Sequence, residues 1–248
     1  ASWTFRKAPK FFDVVTYTGD NTGDRVLSHN VGTVGAVFVK NLTSGDNYSG
    51  NWCVHHRSLG TSQSAYLNLN QTSASGQGTG VNPVFSSTDT TVTIRGGGGG
   101  ELNEGGVDYV AYVFAHNDGD GEFGPDGDAD IIKCGSYTGN GSSQDINLGF
   151  EPQWILTKRA TNAGQYDHWK VHDVMRGLPT GSSPETLYPN LSGSEEEFGT
   201  NWFDVTPTGF KAHSDGTYEN VSGSTYIYIA IRRGPLAPPE SATEVFDV

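Results

Sequence analysis

The feature that most limits what this chain can fold into is an internal repeat. The stretch WCVHHRSLG, which begins at Trp52, returns as WKVHDVMRG at Trp169, 117 positions further along. The stretches DYVAYVFAHN and TYIYIAIRRG hold Tyr109 and Tyr226, which are again 117 positions apart. Blocks that recur in the same order at nearly constant spacing indicate that one structural unit occurs twice. The sequence therefore predicts a tandem duplication.

Shorter similarities at the two ends extend the repeat. FRKAP at Phe5 matches IRRGP at Ile231, and VFDV at Val245 matches FFDV at Phe11. Either these matches are accidental, or the chain is a segment of a longer array in which residues 2–7 form a paired strand. The predicted boundaries are 1–10 for the terminal strand of a preceding copy, 11–116 for the first copy, 117–130 for an Asp- and Gly-rich linker, 131–236 for the second copy, and 237–248 for the start of a further copy or a C-terminal extension.

The residues within each copy favour short strands over helices. The chain has 34 Gly, 12 Phe, 11 Tyr and one Met, and apolar runs such as VGAVFVKN and PQWILTKR have the length of strands. The one notable helix candidate, SGSEEEFG, has room for one or two turns. We therefore expect an all-β fold in which an antiparallel, jelly-roll-like β-sandwich of about 105 residues occurs twice.

Charge and cysteine usage exclude several classes of protein. A net charge of −13 argues against binding of a nucleic-acid backbone. No apolar run approaches the roughly 18 residues of a membrane-spanning helix. The two cysteines, Cys53 and Cys134, match neither a zinc-site spacing nor a disulfide framework.

The histidines of the repeated Trp-x-Val-His element allow two interpretations. His55, His56 and His172 could act as general bases, since histidine titrates near neutral pH. However, neighbours in a strand point to opposite faces, so His172 and Asp173 cannot share a site as an oriented pair. No nucleophile lies in a G-x-S-x-G turn. The element is therefore predicted to be a structural strand.

Two groups of acidic residues are candidate sites. Asp204, Glu195 and Glu196 could form the pair of acids that cleaves a glycoside, or could be solvated surface groups. The linker holds carboxylates at alternating positions on a Gly-rich loop, an arrangement that suits Ca²⁺ but does not match the EF-hand pattern. The alternative is a soluble spacer extended by charge repulsion. The tentative Ca²⁺ ligands are Asp118, Asp120, Asp126, Asp128 and Asp130.

The motifs together resemble a repeat domain of virion structural proteins from marine tailed bacteriophages, of the cyanophage type, which are commonly labelled tail fibres. The resemblance covers about Trp3 to Pro235 and rests on WTFRKAPKFFDVVTYTG, VHHRSLG, YVAYVFAH, IIKCGSYTGNGS, EPQWILTKRA, MRG and TYIYIAIRRGP. It implies a fibre or adhesin module, and it supplies no catalytic residues.

The expected function is a non-enzymatic virion protein, a tail-fibre or adhesin module for attachment to host-surface glycans. The alternatives are a purely structural virion subunit, such as a capsid decoration or tail nozzle, and a virion-borne polysaccharide depolymerase. The expected partners are other virion subunits, neighbouring repeats and copies of the same chain, with a homotrimer favoured for a fibre. Aromatic residues in surface loops are candidates for stacking on sugars: Tyr48, Tyr166 and Tyr218.

Overall fold

The regular structure consists of antiparallel β-strands. The computed structural model describes residues 3–43, 51–77, 81–96, 102–162, 164, 167–178, 185–195, 202–214 and 219–234. These ranges also hold two short 3-10 turns, at Arg57–Leu59 and Val174–Arg176. No helix in the same ranges has the length and apolar character needed to cross a membrane. The predicted all-β class is confirmed.

The described residues of the first unit form eight strands in two sheets. They are β1 (Phe12–Thr18), β2 (Arg25–Ser28), β3 (Val34–Asn41), β4 (Trp52–His56), β5 (Leu67–Asn68), β6 (Val84–Ser87), β7 (Thr91–Ile94) and β8 (Asp108–Ala115). The large sheet has the order β1-β8-β3-β4-β5, and the small sheet has the order β2-β7-β6.

In the second unit, the part of the chain that the structure describes forms seven strands in two sheets. They are β9 (Ile132–Thr138), β10 (Gln144–Asn147), β11 (Pro152–Arg159), β12 (Lys170–Asp173), β13 (Phe203–Thr206), β14 (Gly209–Ala212) and β15 (Thr225–Arg232). The large sheet has the order β12-β11-β15-β9, and the small sheet has the order β10-β14-β13. Read from β9, the large sheet repeats the first four strands of the first unit's large sheet, and the small sheets correspond strand for strand.

Details of the sheets correspond as well. The stacked rings of Tyr17 and Tyr109 are 5.0 Å apart, and the rings of Tyr137 and Tyr226 are also 5.0 Å apart. Each pair faces across the same two strands of its sheet. The strand order that the repeat predicts for both units is therefore observed, while an origin by gene duplication stays a prediction.

The repeated Tyr-Thr-Gly motif has a steric cause. A Cβ atom at Gly19 would lie 2.0 Å from the backbone oxygen of Glu104, and one at Gly139 would lie 2.2 Å from that of Val221. In both units the glycine therefore lets the end of the first strand approach the segment that precedes the last strand. Any side chain at these positions would force the two segments apart.

The four sheets form four layers. One apolar cluster joins the first unit's small sheet, both faces of its large sheet, and one face of the second unit's large sheet. A second cluster fills the space between the other face of that sheet and the β10-β14-β13 sheet. Alternate residues of β11 and β15 enter different clusters, so the second unit's large sheet is covered on both faces. The two large sheets therefore lie in the middle and face each other.

The units are joined by polar contacts as well as apolar ones. Nε1 of Trp169 donates a hydrogen bond to the backbone oxygen of Asn68 at 2.9 Å. Nζ of the buried Lys158 donates to the backbone oxygen of Thr72 at 3.2 Å. These bonds cross from the second unit to the first, so the two units pack directly against each other.

Both cysteines are buried free thiols. Burial raises the pKa of Cys53 to about 11 and that of Cys134 well above its usual value. The Sγ atom of Cys134 lies 2.5 Å from where a Cβ atom at Gly35 would be, which places this thiol at the junction of the units.

The prediction of a paired strand at the N-terminus was wrong for residues 3–7, which lie outside the strands. Ala8 forms an isolated bridge with Phe12, so the chain turns back on β1 instead of extending along a sheet edge. Phe5 supplies the physical reason, since its ring packs into the space between the two large sheets. The predicted segment 237–248 lies outside the described residues.

Candidate functional site

An aromatic cleft of about 480 Å³ lies between the two large sheets. Its floor is formed by nearly buried side chains from both units, namely Phe12, Phe38, Phe114, Trp154 and Leu156. A cleft of this size falls within the range of ligand-binding pockets, which runs from roughly 300 to 1,000 Å³. We refer to it as the aromatic cleft.

The N-terminal segment forms one wall of the aromatic cleft. The ring of Phe5 meets the rings of Trp154 and Phe114 edge to face, with centroids 5.5 and 6.1 Å apart. Trp3 and the exposed Thr4 also line the cleft. The site is therefore assembled from three parts of the chain, and its shape depends on the packing of the units.

The opposite wall carries a half-exposed pair of rings. Trp52 of β4 and Tyr112 of β8 stack with centroids 5.9 Å apart and planes 22° apart. Such rings are apolar on their faces, and the tyrosine hydroxyl adds a polar group at the edge. This wall is suited to a flat ligand with one apolar face.

A second, polar pocket of about 280 Å³ lies in the first unit. Its lining includes His55, Arg57, Thr61, Thr88 and Asp89. Asp89 is the single carboxylate among the lining residues, whereas glycoside cleavage generally requires two acids. This pocket therefore offers hydrogen-bond donors and one acid, which suits binding of a small polar group more than hydrolysis.

The repeated histidines are buried within the sheets. Burial lowers the pKa of His55 to about 4, and that of both His56 and His172 to about 3. The ring of His172 packs edge to face on Phe203 at 4.8 Å, within the second core. In both units the Trp-x-Val-His element therefore contributes residues to a strand, and its histidine rings are enclosed, while a purely structural role stays a prediction.

The acidic residues proposed for glycoside cleavage have basic partners of their own. Asp204 lies 2.8 Å from Nε2 of His213, and Glu195 accepts a hydrogen bond from Arg176 at 2.7 Å. Glu196, like Tyr48, Tyr166 and Tyr218, lies outside the described residues. Each of the two described carboxylates therefore has a basic partner.

One arrangement of side chains that could support catalysis was not predicted from the sequence. Nδ1 of His213 lies 2.8 Å from Oγ of Ser143, while its Nε2 contacts Asp204. If the carboxylate accepts a hydrogen bond from Nε2–H, the unprotonated Nδ1 is left to accept a hydrogen bond from the hydroxyl of the exposed Ser143. The three residues can therefore take the roles of nucleophile, base and orienting acid. No local motif reveals them, since Ser143 precedes His213 by 70 positions.

The acidic linker forms a compact loop. Phe123 and Ala129 pair in a β-bridge, and Asp130 accepts hydrogen bonds from the backbone nitrogens of Gly119 and Gly121 at 2.9 and 3.0 Å. The alternative of an extended spacer was therefore wrong. A side-chain cap on the backbone and a bridge across the loop outweigh the repulsion between the carboxylates.

Lysines contact three of the five carboxylates that were predicted to bind calcium. Lys133 lies 3.4 Å from Asp118 and 3.9 Å from Asp130, and Lys10 lies 2.9 Å from Asp120. Asp126 and Asp128 are exposed. Among the described residues, no group of three or more His, Cys, Asp or Glu side chains is placed to hold a metal ion. Calcium binding at this loop stays a prediction, and a melting temperature that falls on addition of a chelator would support it.

Comparison with known proteins identifies a family but no relative with an assigned role. No curated protein and no solved structure matches the chain. The family model described as "Domain of unknown function (DUF7483)" matches residues 7–235, which include both units and the loop between them but not Trp3, Thr4 or Phe5. Because the match spans most of the sequence, the chain belongs to the DUF7483 family.

Proposed function

We propose that this chain is a non-enzymatic binding module of a phage virion appendage, and that it attaches to a neutral glycan of the host envelope through the aromatic cleft. The stacked Trp52–Tyr112 wall carries the proposal. A pyranose ring presents C–H groups on one face, and these pack on the face of an aromatic ring, while hydroxyls around the sugar rim remain available for hydrogen bonds. The resemblance to virion fibre repeats supports the same role.

The net charge of the chain limits the class of glycan that can bind. At −13, the molecule repels strongly anionic polysaccharides. The cleft walls described above are aromatic and aliphatic, with hydroxyls at Thr4 and Tyr112. A neutral, hexose-rich glycan segment therefore fits the site better than a charged one.

The mode of attachment that we propose is multivalent. A shallow apolar wall with few hydrogen-bonding groups favours weak binding by each copy. Neighbouring repeats and a homotrimeric fibre would present several clefts together, and linked weak sites raise the overall affinity without new contacts.

Replacement of the stacked wall is expected to abolish most of the binding. Trp52→Ala and Tyr112→Ala should each weaken binding to neutral host-envelope glycan by roughly tenfold, or about 1.4 kcal/mol, as measured by calorimetry on soluble oligosaccharide. The matched control is Phe85→Ala, because Phe85 is 51% exposed on β6, away from the cleft. Equal losses for all three variants, or none, would contradict the role of the cleft.

A purely structural virion role predicts a different result. In that case the wild-type protein binds no host glycan, and the aromatic cleft is filled by a neighbouring virion segment. Electron microscopy of virions with the protein labelled locates it, and a position inside a capsid or nozzle shell would exclude direct attachment to the host.

The hydrogen-bonded side chains of Ser143, His213 and Asp204 favour a second candidate function, which is hydrolysis of an ester. Attack by Oγ of Ser143 on the carbonyl carbon of an acetyl ester would give an acetyl-serine and release the glycan hydroxyl, which takes the serine proton by way of His213. Water would then hydrolyse the acetyl-serine to acetate and free serine. A fluorophosphonate reagent would label Ser143 in the wild-type protein but not in Ser143→Ala. Absence of labelling and of acetate release would remove this candidate.

A further inference from the structure

Two opposite charges are enclosed in the second unit. Lys170 of β12 and Glu219, in the connection before β15, form an ion pair between Nζ and Oε1, and their side chains are only 4% and 3% exposed. The ring of Trp202 covers the ammonium group, with its centroid 4.8 Å from Nζ. Water therefore has almost no access to the pair.

The first unit shows that the fold does not require these charges. Cys53 stands opposite Val39 as Lys170 stands opposite Thr157, so the two are equivalent. Leu102 is the equivalent of Glu219, because in each unit the second residue after it donates its backbone N–H to the hydroxyl of the last strand's tyrosine. A thiol and an apolar side chain thus occupy the same two places in the first unit. The charged pair is a feature of the second unit alone.

Burial changes the chemistry of such a pair. Removing two charges from water costs several kcal/mol for each ion, and a close contact often fails to recover it. Transfer of one proton from the ammonium group to the carboxylate removes both charges. It leaves a neutral amine with a free lone pair beside a neutral carboxylic acid, which are the reacting forms for amide formation.

We propose that Lys170 and Glu219 condense spontaneously into an intramolecular amide bond. The Nζ lone pair of Lys170 attacks Cδ of Glu219, the N–C bond forms, and the bond from Cδ to the hydroxyl oxygen breaks. A proton from the amine leaves with the hydroxyl group as water. The step needs no oxidant, reductant or further reactant.

The surroundings hold the two groups in place for this step. Lys170 is fixed by the β11–β12 register, and Asn220, next to Glu219, donates from Nδ2 to the backbone oxygen of Ala212 at 3.2 Å. Groups fixed in contact react as if at very high concentration, with effective molarities of about 10⁵ M or more. That advantage offsets the unfavourable equilibrium of amide formation in water, and the enclosed site limits the return of water.

The bond would join two parts of the unit that the backbone leaves separate. It ties β12, at the edge of the large sheet, to the connection between β14 and β15, and it closes a loop between positions 49 apart. Force applied to the chain ends would then be unable to pull β12 away from this connection without breaking a covalent bond.

The test is the mass of the purified full chain under denaturing conditions. The wild-type protein is expected to be lighter than its sequence by one water molecule, and protease digestion should yield a branched peptide that joins Lys170 to Glu219. Lys170→Arg and Glu219→Leu should each restore the sequence mass. The double variant Lys170→Met/Glu219→Leu, which imitates the apolar character of the first unit, should fold without the bond.

Two results would overturn the proposed amide bond. A wild-type mass equal to the sequence mass, with both residues recovered in linear peptides, would overturn the proposal and leave an ion pair. Loss of water that persists in Lys170→Arg would also overturn it, since succinimide formation at the Asp–Gly steps of the acidic loop loses water too. The mass of the wild-type chain is measured directly, so a variant that fails to fold does not obscure the result.

Discussion

Acidification is expected to lower the free energy of unfolding by up to about 4 kcal/mol per pH unit between roughly pH 6 and pH 4. Three histidines contribute this much: burial lowers the pKa of His55 to about 4, and that of His56 and His172 to about 3. Burial also lowers the pKa of His116 to about 4, which adds to the slope. Their pKa in the unfolded chain is near 6.5, so the unfolded state binds protons first. Their contribution is therefore fully present above that pH and is lost as the pH falls toward the folded values.

One variant isolates a single histidine. Neither ring nitrogen of His172 has a hydrogen-bond partner among the described residues, and the ring packs on Trp202 and Phe203. His172→Leu should therefore fold, and it should reduce the acid slope by about 1.4 kcal/mol per pH unit. Denaturant titrations from pH 7 to pH 4 give the slope. An unchanged slope would show that His172 does not contribute to the acid unfolding.

Trp169→Ala is expected to destabilise the protein by about 3–5 kcal/mol. The indole is 2% exposed, packs edge to face on Phe38, and donates its N–H to Asn68 of the other unit. The truncation therefore leaves a cavity and removes a bond between the units. The free energy of unfolding from denaturant titration measures the loss.

Trp52 is the matched control, since it occupies the equivalent place in the first unit but is half-exposed in the aromatic cleft. Trp52→Ala should cost about half as much, because the exposed part of its ring gains little from burial. Equal losses for the two variants would mean that the contact between the units adds nothing to the contribution of Trp169 to the free energy of unfolding.

The repeat predicted the strand content well because it rests on local patterns. The apolar runs VGAVFVKN and PQWILTKR are β3 and β11, and each of them lies beside the last strand of its unit. These runs lack the alternation of a half-buried strand. The lack of alternation predicts a sheet covered on both faces. The layered packing of the large sheets could therefore have been anticipated from these two runs.

The aromatic cleft was beyond the reach of the sequence for a different reason. Hydrophobic patterning shows that a strand face is buried, but not which surface covers it. Phe38 and Trp154 come from different units, and Phe5 comes from a segment that was expected to form a paired strand. Likewise, the contact of Lys10 with Asp120 spans 110 positions, so the sequence could not show that a lysine contacts the acidic loop.

The two buried thiols can report the opening of two different parts of the protein. Because the thiolate is the reactive form, Cys53 and Cys134 should resist alkylation while their surroundings are closed. Labelling rates then measure how often each strand becomes accessible, in the same way as hydrogen exchange. The labelling rate of Cys53 reports opening of the first unit, and that of Cys134, which lies against Gly35, reports opening of the junction between the units. A faster rate at Cys134 would show that the units separate before either one unfolds.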